Sequence, residues 1–234
     1  MSKALILLLS TLPTLATAQG FEAAVADLQY QKYDDGDGFK VDSLEGHLDA
    51  AWAFGAFGTQ VGLVLGKEID SSDDIDLRQY NGLTLHLTAD VSDSLRLGAM
   101  VAGDNQADGI SVYAAEALYS AGPLRIEGRI GDNLGTNDTF SFYEARGTYA
   151  FGSALTARAG LHSADYGADG DYRVVSLGLG YKLGETTEVY ADLSRHKNDF
   201  GPVIGAYSGS LINLGVRFDL GGDGDRLFSY QPLN

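Results

Sequence analysis

Cysteine is absent from all 234 residues, which removes disulfides, thiolate metal sites, iron–sulfur clusters and cysteine nucleophiles together. Proline occurs only 4 times and no Gly-X-Y period runs through the chain, so collagen and Pro-rich disordered tracts are excluded. Bases are the minority, 16 Lys and Arg against 32 acids, for a formal charge of -16. A nucleic-acid binder neutralises phosphates with Lys and Arg, and this balance has the wrong sign for one. Past the N-terminal region no apolar run approaches the ~20 residues that a membrane-crossing helix needs. A strand of a membrane barrel needs only ~10 residues of alternating character, so the absence of such a run leaves that architecture open.

What is abundant is glycine, 31 residues in all, which suits tight turns and curved strands. At the N-terminus, Lys3 precedes the apolar run 4–9, and Ala16-Thr17-Ala18 stands before Gln19. That order of charged, apolar and small residues is the pattern of a secretory signal peptide, with cleavage predicted between Ala18 and Gln19. An uncleaved anchor is undercut by Ser10, Thr11, Pro13 and Thr14. The predicted organisation is a signal peptide over 1–18, one domain over 19–220 and a C-terminal tail over 221–234.

Within that domain the hydropathy alternates with period two, which is the signature of strands. Leu44, Leu48, Ala50, Trp52 and Phe54 share one face, opposite Ser43, Glu45, His47, Asp49 and Ala51. The same split recurs in Leu83, Leu85 and Leu87 against Thr84, His86 and Thr88, and in Leu124, Ile126 and Ile130 against Arg125, Glu127 and Arg129. Later faces run through Val175, Leu177, Leu179 and Tyr181, and through Ile212, Leu214, Val216 and Phe218. The count comes to about twelve strands, with a range of roughly ten to fourteen.

A soluble sandwich would alternate too, but three features favour a closed barrel in a membrane. Asp-rich connections at 34–38, 70–76, 103–109, 132–138 and 164–171 take turns with short ones at 55–58, 120–123 and 183–186, and long loops on one rim with tight turns on the other is the outer-membrane habit. Aromatic residues collect at strand ends: Trp52, Phe54, Tyr119, Tyr149, Tyr181 and Phe218 by the turns, Tyr30, Tyr33, Tyr80, Tyr113, Tyr172 and Tyr207 by the loops. Two such belts match the two membrane interfaces. Charged residues also stand in mid-strand, where a dry core would need each one paired. The fold class read from these features is all-β, a transmembrane antiparallel up-and-down β-barrel, closed because only closure satisfies every backbone group in hydrocarbon. An even strand number sends both chain ends to the turn side, the periplasm, with the acidic loops outside.

In the stretch 171–195 the chain carries Gly178-Leu-Gly180-Tyr181-Lys-Leu183-Gly184 followed by Val189-Tyr190-Ala191-Asp192, and later Gly215-Val-Arg217-Phe218. These segments resemble the Gram-negative porin family, in which a strand of the first form turns into one of the second and a strand like the third closes the barrel. The resemblance implies a pore in the outer membrane of a Gram-negative bacterium. The chain departs from the larger sixteen-strand porins in two respects. Connection 103–109 is too short to fold inward as an eyelet, and residues 221–234 follow Phe218, so the terminal aromatic of the family falls either to Phe218 or to Phe228 and Tyr230.

Strand parity assigns a basic lumen wall to Arg96, Arg125, Arg129, Arg146, Arg158 and Arg173, and an acidic wall to Asp27, Glu45, Asp49 and Glu68 with Glu188, Asp192 and Asp219. Opposed walls set up a transverse field that orders dipolar solutes and sets ion preference. This predicts passive diffusion of small hydrophilic solutes or ions. The alternative is a structural barrel plugged by its own salt bridges, Glu116 and Glu127 pairing with Arg96, Arg125 or Arg129, since about twelve strands lies between filled and open barrels. A third reading, a hydrolase of outer-membrane lipids, rests on Ser194 with His196 or Ser43 with His47 and Asp49; no catalytic flanking pattern accompanies either set.

No cofactor is implied. Asp165, Asp169 and Asp171 resemble the opening of an EF-hand loop without a Glu at its twelfth position, so no metal is assigned. The acidic loops serve solubility and turn formation, or gather divalent cations that bridge to lipopolysaccharide. Outer-membrane lipids and lipopolysaccharide are the expected surroundings, and the sequence assigns no oligomeric state.

Overall fold

A computed structural model describes residues 20–72, 77–104, 111–133, 140–167, 170–199, 206–222 and 224–229. The predicted cleavage site at Ala18 and Gln19 lies outside the described residues, as do Asp169 and Tyr230. Twelve antiparallel strands close into one barrel in chain order, the last pairing with the first. They are β1 (Phe21–Asp34), β2 (Lys40–Phe54), β3 (Phe57–Ser71), β4 (Gln79–Ser92), β5 (Leu95–Asp104) and β6 (Ser111–Ala121) in the first half. The second half holds β7 (Leu124–Asn133), β8 (Ser141–Phe151), β9 (Leu155–Asp165), β10 (Asp171–Lys182), β11 (Thr187–Asp199) and β12 (Ala206–Gly222).

The alternation read from the sequence decides which side of the wall each residue takes. Leu83, Leu85, Leu87, Val175, Leu177, Leu179, Ile212 and Leu214 all lie exposed on the outer surface. Their neighbours Thr84, His86 and Asn213 are buried inside. A one-residue slip would exchange these two sets, so the contrast between lipid and lumen fixes the register. Closure leaves no open sheet edge, and every strand finds two partners.

The connections differ between the two rims. On one rim β2–β3, β4–β5, β6–β7, β8–β9 and β10–β11 are joined by turns of two to four residues. Gly55 and Gly122 take positive φ there, 71° and 58°, which L side chains resist and tight hairpin turns require. Both described ends of the barrel lie on this rim, where Ala23 pairs with Gly222. The longer connections all lie on the opposite rim.

Of the aromatic belts, the one by the turns faces outward at Phe54, Tyr119, Tyr149, Tyr181 and Phe218, with Trp52 half-buried on the same face. The belt by the loops requires correction. Tyr113 lies at the outer surface, but Tyr33, Tyr80, Tyr172 and Tyr207 have inward parity, Tyr207 standing opposite Asn198 and in step with Gly209 and Asn213. Cross-strand glycines make the room: the Tyr80 ring lies where a Cβ of Gly66 would stand, and the Tyr33 ring where one of Gly209 would stand.

After β12 the chain bends back into the barrel through a short 3-10 turn, Gly224–Arg226. Leu227 packs on Ala23, Val25 and Ala51, and Phe228 is 1% exposed. Residues 224–229 are therefore an internal element, fixed inside the wall.

Candidate functional site

The lumen is built from inward side chains on every strand, and its charges are paired at close range. Arg129 on β7 is the centre of one cluster. Its guanidinium lies 3.2 Å from Glu116 on β6, 2.8 Å from Glu127 and 3.7 Å from Glu144 on β8. Arg125 adds a contact to Glu127 at 2.9 Å, Arg146 pairs with Glu144, and His86 meets Glu116 at 2.7 Å. Bare carboxylates in so dry a place would be costly, and this arrangement gives each an opposite charge or a donor. Arg96 binds Glu22 at 2.5 Å and Asp90 at 2.8 Å by the turn rim.

Across the lumen, β9, β11 and β1 carry a second cluster. Arg158 reaches Glu188 at 2.6 Å and Asp192 at 4.0 Å, and it lies 4.4 Å over the Tyr190 ring. Tyr190 donates to Asp27 at 2.6 Å. Glu45 accepts from Gln29 and Tyr80 and meets His47 at 2.5 Å, while Asp49 accepts from Gln60 at 3.1 Å.

Five of the six arginines assigned to the lumen thus point inward, with glutamates set between them. Glu144 was not among the assigned acids, although its parity opposite outward Tyr143 is readable in the run 141–146. Arg173 is the correction. It shares odd parity with Val175, Leu177 and Leu179 and pairs with Lys197 and Ser163, so it lies exposed on the outer surface. Glu68 stands at the loop end of β3 and accepts the Arg78 backbone N–H at 2.9 Å. The two serine–histidine sets lack a mutual hydrogen bond: Ser43 donates to Gln31 at 3.4 Å, and His196 bonds Tyr172 at 2.8 Å.

Residues 226–229 occupy the lumen beside the Arg129 cluster. Gln60 and Phe228 exchange two hydrogen bonds, 2.6 Å to the carbonyl and 2.9 Å from the amide. Arg96 donates to the Arg226 carbonyl at 2.9 Å, Arg125 to that of Leu227 at 2.5 Å, and Arg129 to that of Ser229. Ser229 returns a hydroxyl bond to Glu127 at 2.7 Å. The Phe228 ring stacks on His86 with centroids 5.9 Å apart. Gly98 admits the ring, since a Cβ there would stand 3.0 Å from it.

Toward the loop rim the same side is apolar, filled by Met100, Ala102, Val112, Ala114, Phe140, Phe142 and Ala164. Toward the turn rim a cavity of 140 Å³ opens, lined by Arg125, Arg158, Lys182, Glu185, Glu188, Arg217 and Asp219 among others. Among the described residues no group of three or more His, Cys, Asp or Glu could hold a metal ion.

A model of the Gram-negative porin family matches residues 54–201. The chain belongs to the Gram-negative porin family. Family membership makes it an outer-membrane channel protein, so the turn rim is periplasmic and the loop rim external.

Solved structures of similar fold include a NanC porin (10% identity, TM-score 0.63) and a KdgM porin (10%, 0.56), each match covering 82% of this porin and 98% of the other chain. A COG4313 outer membrane channel from Pseudomonas putida F1 is similar at 13% identity and TM-score 0.60, over 87% of this porin and 97% of that chain. At such identities the likeness is one of fold. No curated protein matches the porin in sequence.

Proposed function

We propose that this porin is a passive diffusion channel for small hydrophilic solutes or ions, with a path along the β8–β12 side of the lumen and the C-terminal segment narrowing the other side. One observation carries the reading. Side chains of Arg146, Arg158, Asp192 and Arg217 retain 25%, 23%, 19% and 27% of their exposure, whereas Arg129, Glu116 and Glu127 retain 1%, 0% and 3%. Arg158 and Arg217 line the cavity at the periplasmic rim, Arg146 and Asp192 stand partly exposed further in, and charges of both signs along a wetted wall can exchange partners with a passing ion. Residues 1–18 direct export, with cleavage between Ala18 and Gln19. The reading involves no catalysis.

A second reading, a structural barrel closed for good, is favoured by the depth at which Phe228 is held. Planar-bilayer recording separates the two. The full chain gives single-channel steps with a defined reversal potential in a salt gradient, and a chain ending at Gly222 gives larger ones. Silence from both, with heat-modifiable gel mobility proving that they are folded, overturns the channel.

A further inference from the structure

The outer surface of β10–β12 carries a feature that solute passage does not use. Arg173, Arg195 and Lys197 lie exposed on the lipid side at the external ends of β10 and β11, where Arg173 pairs with Lys197 and Val175 with Arg195. Two lysines elsewhere on this face have acidic partners, Lys32 with Asp42 at 3.3 Å and Lys40 with Asp34 at 2.8 Å. Among the described residues no carboxylate lies within ion-pair distance of Arg173, Arg195 or Lys197. Arg195 is held by two hydroxyls alone, Ser210 at 3.0 Å and Ser208 at 2.6 Å. Asp165, Asp171 and Asp199 form a row one pair further out, beyond the basic row and nearer the loops.

An apolar groove of 230 Å³ begins at the basic row. Val175, Leu177 and Leu193 form its walls, with Arg195 and Ser210 at its edge. The outward apolar run on β11 is short, Val189 to Leu193, and Arg195 follows at once. Three cations at the edge of an apolar band call for anions at that depth, and the lipid phosphate layer supplies them. A planar guanidinium is suited to phosphate oxygens, and a groove running from it into the band suits an acyl chain.

We infer that Arg173, Arg195, Lys197 and the groove of Val175, Leu177 and Leu193 form a binding site for a phosphorylated, acylated glycolipid of the outer leaflet. The phosphate lies on the basic row and one chain lies in the groove. The external end of the strands selects the outer-leaflet lipid over a phospholipid of the inner leaflet. The site stands apart from the lumen, so its test does not depend on conductance.

The full chain folded in detergent micelles is titrated with bisphosphorylated lipid A, with dephosphorylated lipid A and with phosphatidylglycerol, and bound lipid is counted by native mass spectrometry. Bisphosphorylated lipid A binds with the highest affinity, and Arg173→Gln/Arg195→Gln/Lys197→Gln weakens it by at least about tenfold. Lys32→Gln/Lys40→Gln leaves it unchanged. Equal binding of the dephosphorylated lipid, equal binding of phosphatidylglycerol, or full binding by the triple variant each overturns the site. Should the triple variant fail to refold, Arg195→Gln alone is judged by the same criteria with at least about a threefold loss.

Discussion

The two sides of the lumen use the same residue types and reach opposite states. Around Arg129 the charged groups Glu116, Glu127 and Glu144 are sealed: Arg129 is shared by the three glutamates, residues 227–229 cap the cluster from below, and an apolar plug of Met100, Val112 and Phe142 covers it from outside. On β9–β12 several inward positions are glycine, and neighbouring side chains fold over them, Asp192 at Gly178, Glu188 at Gly180 and Tyr190 at Gly215, while Arg158, Asp192 and Arg217 keep 23%, 19% and 27% of their side-chain exposure. Whether a charged wall becomes structure or passage depends on what occupies the positions between the charges. Around Arg129 long side chains interdigitate and expel water; on β9–β12 side chains lie over the glycines of the wall and keep their charged ends partly wet.

Arg129→Ala has the largest expected effect, since it leaves three buried carboxylates facing one another. Breaking one member of a buried pair costs about 3–5 kcal/mol, which urea unfolding in lipid vesicles measures. A loss below about 1 kcal/mol would mean that this cluster behaves like an exposed one, and the contrast between the walls would disappear. Phe228→Ala comes next, removing a buried ring and its stack on His86 for about 3 kcal/mol of tail docking. Protease sensitivity of the tail rises and channel steps grow; an unchanged tail would show that its backbone bonds alone hold it.

Arg158→Gln sharpens the other side of the contrast. Its partly exposed pair with Glu188 contributes at most about 1 kcal/mol, so stability changes little while the reversal potential moves toward cations, because Glu188 and Asp192 lose their counter-charge. The smallest effect is expected at Gly178→Ala. Its Cβ would take the place of the Asp192 carboxylate, which swings into the path and lowers conductance modestly with no loss of fold. Unaltered conductance there would move the path off this wall.

The barrel was legible because its rule is local. Period two, Gly at turns and apolar residues opposite charged ones can be read strand by strand, and the twelve strands, their order and the inward side of Arg125 and Arg129 follow from it. The same rule applied to β10 sends Arg173 outward with Val175 and Leu177; its charge is no guide, because the ends of strands pass through the headgroup layer, where a base is at ease on the outer face. Tyr33, Tyr80, Tyr172 and Tyr207 are inward for a related reason: belts are a tendency of strand ends, and strand parity overrides it, with a neighbouring glycine making room for Tyr33 and Tyr80. The expected segregation into a basic and an acidic wall does not form: Glu116, Glu127 and Glu144 interleave with the arginines of β7 and β8, as the predicted pairing of Glu116 and Glu127 with arginines already suggested, and Arg158 lies among the acids Glu188 and Asp192. The tail was least legible of all. Residues 224–229 have no period, and what captures Phe228 is Gln60 on β3 and Gly98 on β5, far off in sequence.

The seat of Leu227 bears on assembly. Its floor is Ala23 and Val25 from the first strand and Ala51 from the second, yet the residue hangs from the last strand, so Leu227 is brought to its seat by the zipping of the seam between β1 and β12. A seam shifted by one residue would turn Val25 outward and leave Leu227 nothing to rest on. The tail thus acts as a latch that engages only on a correctly joined cylinder, and a misjoined one stays unlatched and open to repair or degradation.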